Sequence, residues 1–155
     1  MAMDVFTDYN LDIFGEAASG ATIVRKSADQ TVNNSITLVD DDELLFAVGA
    51  NEVWDVWLFL RLISDSTPDL KFAFTVPPSG TIIILVAYAS LQPQTDGTTA
   101  VVLSTSGAAQ QYLLHCQYVG GATAGNVQFQ WAQNTADASD TKVLANSSII
   151  AHKLA

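Results

Sequence analysis

Residues Glu52 to Ile63 alternate between two sets of side chains, and this alternation restricts the fold more than any other feature of the sequence. The first set is wholly apolar: Trp54, Val56, Leu58, Leu60 and Leu62. The second set mixes apolar and charged residues: Val53, Asp55, Trp57, Phe59 and Arg61. Side chains that repeat with a period of two lie on opposite faces of a β-strand. The sequence therefore predicts a long strand whose first set points into a core.

Short stretches with strand character recur along the chain after Gly20. They are 22–26, 35–39, 44–48, 70–76, 81–89, 101–103, 110–119, 126–133 and 147–154. Turn-forming residues separate them at intervals of roughly 8–12 residues, and Asp40–Glu43 is predicted to be one of these polar turns. No helix is predicted in this part of the chain. The pattern indicates an all-β domain of about eight to ten strands, a sandwich or a barrel, over residues 21–155.

Residues 1–20 form a different segment, an N-terminal arm with four acids and no base. The acids recur every four residues, which would align them along one face of a helix. The segment is either a short amphipathic helix or an extended arm. It packs on its own domain or docks on another chain, and both interpretations stay open. Its candidate interface residues are Phe6, Tyr9, Ile13 and Phe14.

The low proportion of charged residues points to partner chains. Apolar residues make up 49% of the sequence and charged residues 14%, against about a quarter in ordinary soluble domains. Trp57 and Phe59 lie on the second face of the predicted long strand, so they are further candidate interface residues. We therefore expect a homo-oligomer.

The net charge of −10 argues against nucleic acid as a partner, because phosphate contacts need clustered Lys and Arg. A membrane is not expected either. The N-terminus lacks the pattern of a secretory signal, and the most apolar run, 81–91, is too short to cross a bilayer as a helix.

The residues that could carry catalysis are few. Cys116 lies in an alternating apolar run and is predicted to be a small core residue. Its neighbour His115 would point to the opposite face of the same strand, so the two cannot form a dyad. His152 is expected at a strand end or a subunit boundary. No enzymatic activity and no cofactor are predicted.

The acidic run Asp40–Glu43 could be a calcium site, with Asp137 and Asp140 as weaker additional ligands, because Ca²⁺ binds several oxygens. Its spacing does not match an EF-hand loop. Consecutive carboxylates in a turn are commonly solvated, so no metal site is predicted.

Three segments carry a resemblance to a known family. They are 27–54, which contains Ser27-Ala28-Asp29-Gln30-Thr31-Val32-Asn33-Asn34-Ser35, then Pro68–Pro77, and finally Gly121–Asn134. Together they resemble a β-sandwich module of structural proteins in tailed bacteriophages. The resemblance implies a jelly-roll-like sandwich, a trimer, and no enzymatic activity.

The resemblance also implies a place in the virion. The short acidic arm and the lack of a long upstream shaft favour a capsid decoration, or cement, protein that binds the major capsid protein on the capsid surface. The alternative is a tail-fibre or receptor-binding tip that recognises the host surface.

Overall fold

The computed structural model describes residues 21–87 and 95–155, which form twelve β-strands. They are β1 (Thr22–Arg25), β2 (Gln30–Val32), β3 (Val39–Val48), β4 (Val53–Ile63), β5 (Leu70–Thr75), β6 (Thr81–Ala87), β7 (Thr95–Asp96), β8 (Val101–Leu103), β9 (Gln110–Val119), β10 (Gly125–Gln133), β11 (Thr141–Val143) and β12 (Ser148–Lys153). Within these two ranges, no helix is long and apolar enough to cross a membrane.

The strands form two antiparallel sheets. Sheet A has the order β1-β12-β4-β9-β6-β7, and β11 pairs with both β4 and β2. Sheet B has the order β3-β10-β5-β8. If β3 to β10 are numbered from one to eight, sheet B reads 1-8-3-6 and sheet A contains 2-7-4-5. This is the strand order of a jelly roll, and it confirms the jelly-roll-like sandwich that the resemblance implies.

The inward faces of the two sheets form one apolar core. The face of β4 that alternation assigns to the core is buried: Trp54, Val56, Leu58, Leu60 and Leu62. From sheet B, Phe72, Phe74 and Phe129 meet with ring centroids 5.5–6.2 Å apart. Each fully buried side chain of this size contributes about 1.5–3 kcal/mol of transfer free energy. Burial of this core therefore fixes which face of each strand points outward.

The acidic run is not a turn, as the sequence pattern had suggested, because β3 continues through it. The pairing of β3 with β10 shifts between Gln128 and Gln130, so the acids lie in an irregular part of the ladder. There Asp41 turns inward, and its Oδ1 lies 2.9 Å from the Nζ of Lys26. The same oxygen accepts hydrogen bonds from the backbone N–H groups of Glu43 and Leu44, at 3.0 Å each. These bonds hold a charged residue inside a strand.

The prediction of a strand over 35–39 was wrong, because β3 begins only at Val39. The preceding backbone bonds to a loop instead: Asn34 N–H donates to the carbonyl of Asp137, and Ser35 N–H donates to Oε1 of Gln133. Hydrogen bonds to residues that are distant in sequence therefore take the place of the strand pairing that the local alternation suggested.

Candidate interaction surface

The side chains of sheet A that point away from the core form a surface that we call the outer face of sheet A. The register of β1, β12, β4 and β9 places Ile23, Ile150, Trp57 and His115 in one row across the sheet. A second row contains Arg25, Ser148, Phe59 and Leu113. Large apolar side chains from β1, β12 and β4 therefore lie side by side across the centre of the face.

Much of this apolar surface stays open to solvent. Ile23 is 68% exposed, Phe59 is 42% exposed and Val119 is 41% exposed. A groove of about 470 Å³ crosses the end of the face near Phe59, and Arg61 and Leu113 also line it. Exposed apolar side chains that cluster rather than scatter are typical of binding surfaces.

A polar cluster fixes the aromatic centre of the face. The indole Nε1–H of Trp57 donates to Oδ2 of Asp55 at 2.9 Å, and Oδ1 of Asp55 forms a short hydrogen bond with Nε2 of His115. The rings of Trp57 and His115 stack, with centroids 3.9 Å apart and planes 8° apart. Asp55 lies on the same strand as Trp57 and therefore fixes the orientation of both rings.

The sequence analysis missed this cluster, although one part of it was visible. Residues two apart on a strand share a face, so Asp55 was placed to accept a hydrogen bond from Trp57. The contribution of His115 depends on the register between β4 and β9, which alternation within one strand does not reveal.

The arrangement of His115 and Cys116 follows the prediction. Cys116 lies in the core with no exposed surface, and burial raises the pKa of its thiol to about 12. His115 points to the opposite side, toward Asp55. A thiol that stays protonated is a poor nucleophile, and it faces away from the imidazole that could act as its base. His152 lies exposed on β12, opposite Asp55 in the register.

The outer face of sheet B has a different character. The central strand β10 presents Gln128 and Gln130 there, and their amides donate to the carbonyl of Asp41 and to Oδ1 of Asp40. Val102 is a large apolar residue that stands exposed on this sheet, at 46%. The two outer faces of the sandwich are therefore unlike: one has aromatic and aliphatic side chains at its centre, and the other has amides along β10.

The candidate calcium ligands do not come together. Asp41 is paired with Lys26, while Asp140 pairs with Lys142 at 3.1 Å and accepts a hydrogen bond from Asn33. These bonds from Lys142 and Asn33 lower the pKa of Asp140, and the hydrogen bonds from Ser139 lower the pKa of Asp137. Across 21–87 and 95–155, no group of three or more His, Cys, Asp or Glu is arranged to hold a metal ion.

The candidate interface residues divide into two groups. Trp57 and Phe59 lie on the outer face of sheet A, as the alternation predicts. Phe6, Tyr9, Ile13 and Phe14 belong to the arm, which lies outside the described residues. Whether either group contacts another chain stays a prediction.

Comparison with known proteins gives weak similarities. No protein-family model matches the chain. No curated protein sequence matches it either. Among solved structures, it is similar to a chain in the structure of infectious bursal disease virus Gx strain, with 9% identity and a TM-score of 0.30. It is also similar to a chain in the structure of the Gt strain of that virus, with 10% identity and a TM-score of 0.27.

These alignments cover 89% and 90% of this chain but only 42% and 39% of the viral chains. The chain thus spans less than half the length of either one. Similarity this low identifies no shared function, and the assignment of the jelly roll rests on the strand order alone.

Proposed function

We propose that this chain is a structural protein of a virus particle, and more specifically a decoration protein on the capsid of a tailed bacteriophage. The observation that carries the proposal is the open, aromatic outer face of sheet A on a jelly-roll domain. Viral capsid domains, lectins and cupins use this architecture. The sequence resemblance to structural proteins of tailed phages favours the first of these classes.

The proposed partners are other proteins. The chain forms a homo-oligomer, a trimer, and this oligomer binds the major capsid protein on the outer surface of the shell. Aromatic side chains at the centre of a surface and polar groups around them are typical of protein interfaces. The net charge of −10 disfavours packaged DNA as the partner. The role involves no catalytic step.

The proposed mechanism is thermodynamic linkage. A ligand that binds only the assembled shell stabilises that shell by its binding free energy. An oligomer that contacts several capsid subunits at once also gains from multivalency, because the later contacts form within one complex. Packaged DNA pushes outward, so these contacts matter most in filled heads.

The experiment compares phage with and without this protein. We expect particles that lack it to assemble, to release their DNA at a lower temperature, and to adsorb to host cells normally. Adding the purified protein to the deficient particles should restore heat resistance. Its copy number in wild-type particles should be comparable to that of the major capsid protein.

A receptor-binding tip would give the reverse result. Deficient particles would then keep their heat resistance and fail to adsorb, and the copy number would match that of a tail appendage. That combination would overturn decoration as the function and leave a role in the virion in place.

A further inference from the structure

We propose that the outer face of sheet A binds the N-terminal arm, residues 1–20, of a second copy of this chain. This inference deepens the proposed homo-oligomer by naming the two surfaces that meet. It is tested on the purified chain, so its failure would be separate from a failure of the capsid role.

The first argument is charge. Three of the six basic residues form ion pairs with acidic residues: Lys26 with Asp41, Lys142 with Asp140, and Lys153 with Glu52. Among the described residues, Arg25, Arg61 and Lys71 have no acidic partner within ion-pair distance.

Two of these three cations, Arg25 and Arg61, belong to the outer face of sheet A. Arg25 lies in the row of Phe59, and Arg61 lines the groove. The arm has four acids and no base. An acidic segment without a basic residue therefore matches a face on which Arg25 and Arg61 have no acidic partner among the described residues, although Arg61 donates a hydrogen bond to the carbonyl of Ala145.

The second argument is apolar complementarity. The groove near Phe59 and Leu113 offers an open apolar surface. The arm alternates its acids with large apolar residues: Val5, Phe6, Tyr9, Leu11, Ile13 and Phe14. A segment that presents both kinds of side chain can bury its apolar residues in the groove and place its carboxylates near the arginines at the rim.

The third argument is the direction in which the chain enters the sheet. β1 runs from Thr22, opposite Ala151, to Arg25, opposite Ser148 and next to the row of Phe59. The chain therefore enters β1 at the end remote from the groove. A segment that continues the line of β1 backward from Thr22 leads away from the groove of its own domain, which favours the groove of another copy as its binding site.

Length permits this reach. Twenty extended residues span about 66 Å, at about 3.3 Å per residue. A folded domain of this size has a radius of gyration of only about 14 Å. Arms that each bind the next copy in the same way form a closed ring when the rotation between copies closes, as it does in a trimer.

The test uses three full-length variants. The face variant combines Phe59→Glu with Arg25→Glu. Its matched control combines Val102→Glu with Lys71→Glu, which are a similarly exposed apolar residue and an unpaired cation on the outer face of sheet B. The arm variant replaces the four candidate interface residues of the arm with serine: Phe6, Tyr9, Ile13 and Phe14.

Light scattering at micromolar concentration gives the first result. We expect the wild-type chain and the control to be oligomers, and the face and arm variants to be monomers that stay folded and unfold cooperatively, with a thermal midpoint lowered only by the loss of association. A monomeric wild-type chain would overturn the proposal. So would a face variant or an arm variant that remains folded and oligomeric.

Mixing the face variant with the arm variant gives the decisive result. The face variant keeps an intact arm, and the arm variant keeps an intact face, so an equal mixture should form a one-to-one heterodimer. A benzophenone amino acid at Phe14 of the face variant would then cross-link to β4 or β9 of an isotope-labelled arm variant. Cross-links only within one chain, or to sheet B, would overturn the proposal even if both variants alone were monomers.

Discussion

Lys26 and Asp41 form an ion pair, with 2.9 Å between Nζ and Oδ1, and both side chains are almost completely withdrawn from solvent. Lys26 follows β1 at the edge of sheet A, and Asp41 lies in β3 at the edge of sheet B. The pair therefore links the two sheets on one side of the sandwich. Oε1 of Gln30 lies 3.3 Å from the same Nζ and gives the ammonium group a second acceptor.

Replacing only one member of this pair should strongly destabilise the domain. Asp41→Ala leaves a buried ammonium group without its counter-charge, and such changes cost about 3–5 kcal/mol. Urea unfolding should show this loss in the free energy of unfolding. The control is Lys142→Met, which removes the partly exposed pair with Asp140 and should change stability little. If Asp41→Ala had no more effect than the control, the ion pair would not stabilise the sandwich.

The Lys26–Asp41 pair also shows where sequence reasoning stopped. Alternation within one segment correctly assigned both faces of β4, because the core selects one face of a strand with period two. It also indicated the class of fold. In contrast, Asp41 is buried because it meets a residue fifteen positions away in sequence, and no local pattern encodes that pairing.

The same limit of local sequence patterns applies to the outer face of sheet A. The positions of Trp57 and Phe59 followed from β4 alone, but the row from Ile23 to His115 depends on three strand registers.

The number of strands was underestimated for a related reason. β2, β7 and β11 have only two or three residues each, and they exist because they pair with neighbours rather than because of their own propensity.

Two tyrosines should respond differently to loss of the hydroxyl group. The hydroxyl of Tyr118 is buried and has no hydrogen-bond partner among the described residues. Tyr118→Phe removes an unsatisfied polar atom and the packing volume of only one oxygen, so stability should stay the same or rise. The hydroxyl of Tyr112 donates to the carbonyl of Ser104, so Tyr112→Phe should lower the free energy of unfolding by about 1 kcal/mol. Urea unfolding of both variants checks the difference, and equal losses would contradict it.

Cys116 should make the domain sensitive to alkaline pH. Burial raises the pKa of its thiol from 9.0 to about 12. Above pH 9 the unfolded chain releases this proton while the folded chain keeps it, so folding stability falls as pH rises toward 12. The loss from one such group is about 1.4 kcal/mol per pH unit.

Cys116→Ala should therefore show a shallower decline in stability between pH 9 and 12, after allowance for its lower stability at neutral pH. Burial also raises the pKa values of Tyr112 and Tyr118, so some decline should remain in the variant. Identical slopes for the variant and the wild-type chain would contradict the assignment. A thiol reagent provides a second measurement, since it should label Cys116 only as fast as the domain opens.

The last prediction concerns Asp55, which orients the aromatic centre of the outer face of sheet A. Asp55→Ala removes the acceptor of the Trp57 indole and the partner of His115, so both rings lose the bonds that fix them. The indole N–H resonance of Trp57 should shift markedly in an NMR spectrum. The indole of Trp54 is an internal control, because it donates to Oε2 of Glu52 at 3.0 Å and should not move. All these groups are partly exposed, so the cost in stability should be only about 1 kcal/mol.

If Asp55→Ala lowers the free energy of self-association by more than it lowers the free energy of unfolding, the orientation of Trp57 contributes to binding. The physical reason is pre-organisation: a ring that is already held in place loses less conformational entropy when a partner covers it. Asp96→Ala is the matched control, since Asp96 accepts local hydrogen bonds from Thr98 and Thr99 at the other edge of sheet A. If Asp55→Ala moved the Trp57 resonance but left the oligomer as stable as in Asp96→Ala, the stacked pair of Trp57 and His115 would lie outside the interface.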